Sequence, residues 1–146
     1  MENSNIIIDK THIQELIPQK WPMVMVDNLI YNNEKKTICN LTIEKDNIFI
    51  HDNKFREPGL IENIAQTTAV HVGYICFLKN IPIPLGFIGA IKNFELHFLP
   101  NIYDTIQTEI IIEREIFNVT MISATICRTN EIVAKCELTL FLDNSN

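Results

Sequence analysis

The stretch FREPGLIENIAQTTAVHVGYICFLK, residues 55–79, decides the fold because it reads as a helix that is apolar on nearly every side. A surface helix keeps one polar face, whereas a helix that is apolar all round lies buried. Pro58 suits the first helical turn, where the N–H that proline lacks would have no intrahelical partner. The prolines of NIPIPLG, residues 80–86, then end the helix. The sequence therefore predicts one long helix that the rest of the chain must cover.

The segments on either side of this helix have the patterns of a short helix and of antiparallel strands. A short helix is predicted over residues 9–19, where Thr11 and Gln14 stand in a capping-box pattern. Residues 23–31 and 35–45 are predicted to form an antiparallel pair, joined by a turn at NNE. An irregular polar stretch then leads into the helix. Four further strands are predicted after it, over residues 86–98, 105–117, 119–129 and 131–142.

The last of these strands alternates between apolar and polar residues, a pattern typical of a sheet with one buried face. Its apolar positions are Ile132, Ala134, Cys136, Leu138, Leu140 and Leu142. A strand meander of this length must curl, and the only element available to fill its concave side is the apolar helix. We therefore expect an α+β fold in a single domain, residues 1–146, with an antiparallel sheet wrapped around one central helix. The pattern does not predict which strands are neighbours.

Composition excludes several classes of function. The chain has 146 residues and a net charge of −6, with no basic run, which argues against nucleic-acid binding and gives no reason to expect attraction to a membrane. Its four cysteines are scattered within apolar patterns and lack metal-ligand spacing, so we expect buried thiols, no metal and a reducing cytosol. The N-terminus is too polar for a signal peptide, and we expect a cytoplasmic protein.

Glu62 is the candidate catalytic residue because it is a carboxylate on the tightly packed side of the helix. At about 100° per residue, Gln66, Ala69 and Gly73 share its side, so Glu62 heads a stripe of small residues that a backbone or a ligand can approach closely. A carboxylate that loses hydration has a raised pKa unless it is paired, which is how a general acid is made. The alternative is an acid favoured by the helix dipole, worth about 0.3–1 kcal/mol. Gln66, one turn further on, is either placed to orient the carboxylate or a plain buried amide.

Three stretches of the chain resemble the FabZ-type 3-hydroxyacyl-[acyl-carrier-protein] dehydratases. LIPQKWPMVMVDNLI, residues 16–30, is similar to their L-P-H-R-Y-P-F-L-L-V-D-R signature, and PGLIENIAQ, residues 58–66, is similar to their helix signature. FIGAIKNFELHFLPNIYDTIQTEI, residues 87–110, resembles their later F-x-G strand region. The divergent branch found in aryl-polyene and flexirubin-type pigment clusters is also similar. The resemblance implies the hot-dog fold, a dimer with acyl tunnels at the subunit interface, and a reaction without a cofactor.

The resemblance also implies roles for particular residues. Glu62 matches the catalytic glutamate, and Gln66, Pro58, Gly59 and Gly89 match positions around the acyl substrate. The family pairs a glutamate from one subunit with a histidine from the other, and holds the thioester carbonyl by backbone N–H groups at the helix N-terminus. The family's histidine loop is not intact here.

The stretch that corresponds to this loop is FIHDNKFREPG, residues 49–59, and His51 is the only histidine in it. His51 and Gly59 both stand closer to Glu62 along the chain than their family counterparts do. His51 is therefore either the second catalytic residue, in a rebuilt loop, or an exposed histidine beside Asp52.

Several functions are compatible with these residues. The first is dehydration of a 3-hydroxyacyl group on acyl carrier protein, with thioester hydrolysis as a variant on the same fold. The second is a non-catalytic hot-dog subunit that completes the interface of an active paralogue, so both a homodimer and a heterodimer stay open. The third is a small-ligand binding protein. Because acyl carrier proteins are acidic, docking would need a local basic patch, for which Lys54, Arg56 and Lys92 are the candidates.

Overall fold

The long helix, α1, spans Glu57–Lys79 in the computed structural model, which describes residues 5–143. Pro58 lies in its first turn, as predicted. The helix ends at Asn80, which adopts the left-handed conformation, and the N–H of Asn80 donates to the carbonyl of Phe77 at 3.1 Å. Asparagine tolerates this conformation better than most residues, so it supplies the helix stop just before the predicted proline break.

The strands form one six-stranded antiparallel sheet and one small hairpin. The strands are β1 Asn28–Asn32, β2 Lys36–Thr42, β3 Ile50–His51, β4 Lys54–Phe55, β5 Leu85–Leu96, β6 Thr105–Ile116, β7 Val119–Arg128 and β8 Glu131–Asp143. The order across the large sheet is β1-β2-β6-β7-β8-β5, so β5 and β1 are its edges. An antiparallel sheet with one long helix confirms the predicted hot-dog fold, and the strand order is what the sequence pattern did not predict.

The N-terminal region differs from the sequence-based prediction in two respects. Its helix is a single 3-10 turn, Ile13–Glu15, without a side-chain cap. The capping box is wrong, because the hydroxyl of Thr11 donates to Asp9 Oδ1 at 2.6 Å. Strand β1 also begins later than predicted, because residues 23–25 are bound to the helix rather than to a neighbouring strand.

The helix is buried on two sides, which explains its apolar circumference. Leu60 and Ile64 pack against the concave face of the sheet, with Ile106, Ile110, Ile122, Ile126 and Leu138. Val70 belongs to a second cluster, formed with the N-terminal segment and the first two strands. The members of this second cluster include Ile13, Leu16, Ile17, Leu29 and Cys39. The chain thus covers α1 with the sheet on one side and the N-terminal segment on the other.

Buried polar side chains fix the position of the helix on the sheet. The Asn63 amide, fully buried, donates from Nδ2 to the carbonyl of Met25 at 2.8 Å and accepts at Oδ1 from the hydroxyl of Thr108 on β6. His71 lies 2.7 Å, Nδ1 to Oγ1, from Thr37 on β2. Buried polar groups that all find partners favour one arrangement of the elements over its neighbours.

The four cysteines are free thiols within the fold. Cys39, Cys76 and Cys136 are buried and Cys127 is half-buried, all as free thiols. Burial raises the pKa of Cys39 to about 12, so its thiol stays protonated and unreactive. Within residues 5–143, no helix is both long and apolar enough to cross a membrane.

Candidate active site

The pocket that contains Glu62 lies along the small-residue stripe of α1 and has a volume of about 250 Å³. Ala65 and Ala69 form its floor beside Glu62. The N-terminal segment forms one wall, and the start of β5 with the end of β8 forms another. The side chains of these walls include Leu16, Pro18, Ile83, Phe87, Leu140 and Leu142. A mostly apolar cleft with a few polar groups is the usual form of a ligand site.

Gly73 brings the N-terminal segment onto the helix. A Cβ at this position would lie 2.2 Å from the backbone oxygen of Leu16, which leaves no room for any side chain. Leu16, Pro18 and Gln19 therefore reach the wall of the pocket because Gly73 lets their backbone lie directly on α1. Along the small-residue stripe, the backbone of Leu16 packs on Gly73, and Ala65 and Ala69 line the pocket. The sequence predicted such a close approach to the helix.

Gln66 holds the Glu62 carboxylate in a fixed orientation. Its Nε2 donates to Glu62 Oε2 at 2.8 Å and to the carbonyl of Met23 at 2.7 Å. Its Oε1 accepts the N–H of Met25 at 2.6 Å. Gln66 is fully buried, whereas Glu62 is half-buried and lines the pocket. The carboxylate is therefore held through one oxygen by a side chain that is itself anchored to the backbone of residues 23–25.

Gln19 is a pocket residue whose position the sequence did not indicate. It lines the same pocket as Glu62, and its Oε1 is buried without a hydrogen-bond partner among residues 5–143. A buried polar atom without a partner costs about 1–3 kcal/mol. Such an exception in a structure where other buried polar side chains are satisfied marks a place where a ligand can bind.

His51 and Glu62 are not brought together within one chain. His51 ends β3, and its side chain is 76% exposed with Nε2 3.6 Å from Asp52 Oδ2. The turn that follows it uses Asp52 and Asn53 in the left-handed conformation. Glu62 lines the pocket against α1, and His51 does not. The pairing of these two residues therefore stays a prediction.

Gly59 packs under aromatic side chains at the start of α1. A Cβ at this position would lie 2.6 Å from the ring of Phe55 and 2.8 Å from Cβ of Phe49. The N–H of Gly59 donates to the carbonyl of Arg56 at 2.9 Å. Neither Gly59 nor Pro58 lines the pocket, so their predicted contacts with substrate stay predictions.

Gly89 lies on β5 beneath an aromatic ring of the neighbouring strand. A Cβ there would lie 2.0 Å from the ring of Phe141 on β8. Gly89 stands where the pairing of β5 with β8 shifts register, between Ile88 and Ala90. Gly86 and Ile88 line the pocket, but Gly89 does not, and its role in substrate binding stays a prediction.

None of the three candidate docking cations lines the pocket. Lys54 Nζ donates to Asn101 Oδ1 at 2.5 Å, and Arg56 Nε lies 3.2 Å from Glu57 Oε1. Lys92 is exposed on β5, opposite Glu137.

Burial raises the pKa of Asp27, which lies just before β1. Its Oδ2 accepts the N–H of Thr42, so Asp27 joins the start of β1 to β2. In residues 5–143, no three His, Cys, Asp or Glu side chains cluster as a metal site requires.

Comparison with known proteins places this geometry in a family. The chain is 26% identical to the 3-hydroxyacyl-[acyl-carrier-protein] dehydratase FabZ of Rickettsia massiliae strain Mtu5. The alignment is 148 positions long and covers 94% of this chain and 97% of that protein. The dehydratase heterocomplex ApeI:P from Xenorhabdus doucetiae has a similar structure, with a TM-score of 0.79, 14% identity and 91% of each chain covered. A hypothetical thioesterase with coenzyme A from Streptococcus pneumoniae TIGR4 shares the fold, with a TM-score of 0.64, 9% identity and 79% and 84% of the two chains covered.

The family assignment rests on a match that covers nearly the whole chain. The family model described as ApeP-like, ApeP dehydratase, matches residues 11–146. This range includes the Glu62–Gln66 pair, the N-terminal segment on the helix and all the strands of the sheet. The chain therefore belongs to the ApeP-like dehydratase family, a divergent branch of the FabZ-like hot-dog proteins.

Proposed function

We propose that this chain is a subunit of a 3-hydroxyacyl-[acyl-carrier-protein] dehydratase and that Glu62 is its general acid. The observation that carries the proposal is a carboxylate fixed by Gln66 at 2.8 Å on the floor of an apolar pocket. Buried amides that serve only the fold do not need an acid beside them. An acyl chain fits the apolar walls, while Glu62 provides the polar group that acts on it.

The reaction breaks two bonds and forms one π bond in the acyl chain. A base removes a proton from C2, the C3–O bond breaks, and Glu62 gives its proton to the departing hydroxyl, which leaves as water. The products are a 2-enoyl thioester, a protonated base and a Glu62 carboxylate, and transfer of a proton from the base to Glu62 restores the start. A positioned acid of this kind contributes about 10²–10⁴-fold to the rate.

The base is proposed to be His51 of a second subunit. Within one chain His51 lies on an exposed hairpin and does not line the pocket, which suits a side chain that reaches across an interface. Strand β5 supports a dimer, because it is a long edge strand whose apolar side chains are exposed. These side chains include Leu85, Phe87, Ile88, Ile91 and Leu96. An edge of this kind favours pairing with another chain.

The carrier protein is proposed to dock near the start of α1, where Lys54 and Arg56 lie. Lys54 contacts the neutral Asn101, and Arg56 contacts one acidic residue, Glu57. An acidic helix of the carrier can therefore compete for both cations. A reducing, cytoplasmic setting is part of the same proposal and is supported by the four free thiols.

A second candidate is a subunit that binds the acyl chain while an active paralogue performs the chemistry. Two observations favour it: the N–H of Gly59 is already bonded to Arg56, and the histidine loop is reduced to a short hairpin. The Gly59 N–H is then not free to hold the thioester carbonyl. In that case the productive assembly is a heterodimer of hot-dog subunits.

Hydration of crotonyl- or longer 2-enoyl-carrier thioesters by the purified protein tests the first proposal against the second. The wild type is compared with Glu62→Gln alone, with His51→Ala alone, and with an equimolar mixture of these two variants. If each site takes its acid and its base from different subunits, the mixture regains roughly a quarter of wild-type activity, because half of the dimers are mixed and each has one intact site.

Each outcome assigns the chain differently. Two inactive variants that complement one another establish the shared site. Loss in Glu62→Gln with full activity in His51→Ala removes His51 from the mechanism and leaves another base. A silent wild type that gains activity only with a paralogous hot-dog subunit supports the second candidate. A silent wild type in both conditions contradicts both candidates.

A further inference from the structure

Gln19 is a polar side chain of the active-site pocket that the proposed reaction leaves without a role. It lines the pocket together with Glu62, and its Oε1 is buried and lacks a hydrogen-bond partner among residues 5–143. The backbone around it is held in place, because the carbonyl of Leu16 lies against Gly73 of the helix. The wall of the pocket therefore includes an amide whose buried oxygen has no donor within residues 5–143.

The chemistry of the substrate indicates which donor it takes. In a 3-hydroxyacyl group the C3 hydroxyl is a hydrogen-bond donor, whereas the thioester carbonyl and the methylene groups have no proton to donate. The 2-enoyl product has lost this hydroxyl. Resting on the proposed function, we infer that Gln19 accepts a hydrogen bond from the C3 hydroxyl of the bound substrate and so selects 3-hydroxyacyl chains over enoyl and saturated ones.

The geometry of the pocket supports this arrangement. Gln19 and Glu62 line one cavity from different elements, the N-terminal segment and α1, so a group between them can contact both. The hydroxyl oxygen can accept the proton of Glu62 while its own hydrogen points to Gln19. The terminal torsion of a glutamine side chain is broad, and Oε1 has no hydrogen bond to break when it turns towards the pocket.

The test compares binding of 3-hydroxyoctanoyl- and octanoyl-acyl carrier protein, using whichever assembly is active in the hydration assay. Three forms are measured: the wild type, Gln19→Leu, and Gln107→Leu as a control at an exposed glutamine outside the pocket. Loss of one neutral hydrogen bond predicts that Gln19→Leu loses a preference of roughly tenfold for the hydroxyacyl chain. Its affinity for the octanoyl chain is unchanged, and Gln107→Leu keeps the preference. Light scattering on the same samples reports the oligomeric state.

The outcomes separate the inference from the function on which it rests. An unchanged preference in Gln19→Leu overturns the inference while the proposed function stands. Dissociation of the assembly by Gln19→Leu also overturns it, since the amide oxygen would then serve the subunit interface. If neither carrier thioester binds the wild-type assembly, the proposed function fails and the inference fails with it.

Discussion

At Gly73 the absence of a side chain decides how the active-site pocket is built. A Cβ would meet the Leu16 carbonyl at 2.2 Å, and a backbone atom cannot move aside as a flexible side chain can. We expect Gly73→Ala to destabilise the protein by about 1–3 kcal/mol, although alanine is the better helix former by about 1 kcal/mol. Chemical denaturation measures the change.

Gly86→Ala is the matched control for this prediction. Its added Cβ would meet only the methyl groups of Leu140 and Leu142, at 3.5 Å, which is ordinary contact. Equal stability of the two variants would show that the N-terminal segment does not depend on Gly73.

Gln66 is the residue on which the orientation of Glu62 depends. Gln66→Met keeps the length of the side chain but removes its bonds to Met23, Met25 and Glu62, and leaves the buried N–H of Met25 without an acceptor. We expect a loss of about 1–3 kcal/mol in the free energy of unfolding. Residual activity should fall in kcat more than in KM, because the acid is disordered and the pocket walls are retained. A variant with unchanged kcat would show that Glu62 needs no support from Gln66.

At the scale of elements, the contact between α1 and β2 makes stability depend on pH. His71 is buried against Thr37, and burial lowers its pKa below the ordinary value of 6.5. At a pH between the pKa of His71 in the folded chain and its pKa in the unfolded chain, the unfolded chain binds more protons than the folded one. The contribution of His71 to stability is therefore full above pH 6.5 and is lost as the pH falls from 6.5 towards the lower, folded-state pKa. Wild-type stability should therefore fall on acidification from pH 7 towards pH 5, and more steeply than that of His71→Gln.

Denaturation curves across this range provide the comparison, and His12→Gln is the control because His12 is exposed beside Asp9. Parallel profiles for the wild type and His71→Gln would mean that His71 is protonated equally in both states. The slope is the informative quantity, since loss of the Thr37 contact shifts the whole curve of the variant.

The elements themselves were largely predictable, because their patterns are local. The apolar stretch between Pro58 and the prolines of residues 80–86 predicted α1, alternation predicted the buried face of β8, and the small-residue stripe indicated where Glu62 lies. The position of residues 23–25 was not predictable, since it depends on hydrogen bonds to Gln66 and Asn63, more than thirty residues away. The position of Gln19 was not predictable either, because only the folded chain shows its oxygen to be buried and unpaired.

At the scale of the whole molecule, the edge strand β5 is expected to form the subunit interface. Ile91 is 42% exposed on this strand, so Ile91→Lys places a charge at the interface without filling the core. The variant should be a folded monomer by light scattering, because burying an unpaired ammonium group is strongly unfavourable. Ile111→Lys on the central strand β6, at a site with 37% exposure, should keep the wild-type oligomeric state. A dimer of Ile91→Lys as stable as the wild type would place the interface elsewhere.

Residues that act across an interface are the part of the site that one sequence predicts least well. Glu62 could be found from its own helix, whereas the partner of His51 depends on how two chains meet. The hairpin that contains His51 and the edge strand β5 are both exposed in this chain, and the proposed dimer accounts for both.

The most direct measurement is the rate at which the active assembly hydrates a 2-enoyl-carrier thioester when its chain contains Glu62→Gln. The substitution keeps a hydrogen-bonding side chain at the pocket floor and removes the exchangeable acid. Glu113→Gln is the control, because Glu113 is exposed and contacts Ser123 away from the pocket. We predict a fall of about 10²–10⁴-fold for Glu62→Gln, with Glu113→Gln unchanged. A Glu62→Gln protein that hydrates the thioester at the wild-type rate would contradict the assignment of Glu62 as the catalytic acid.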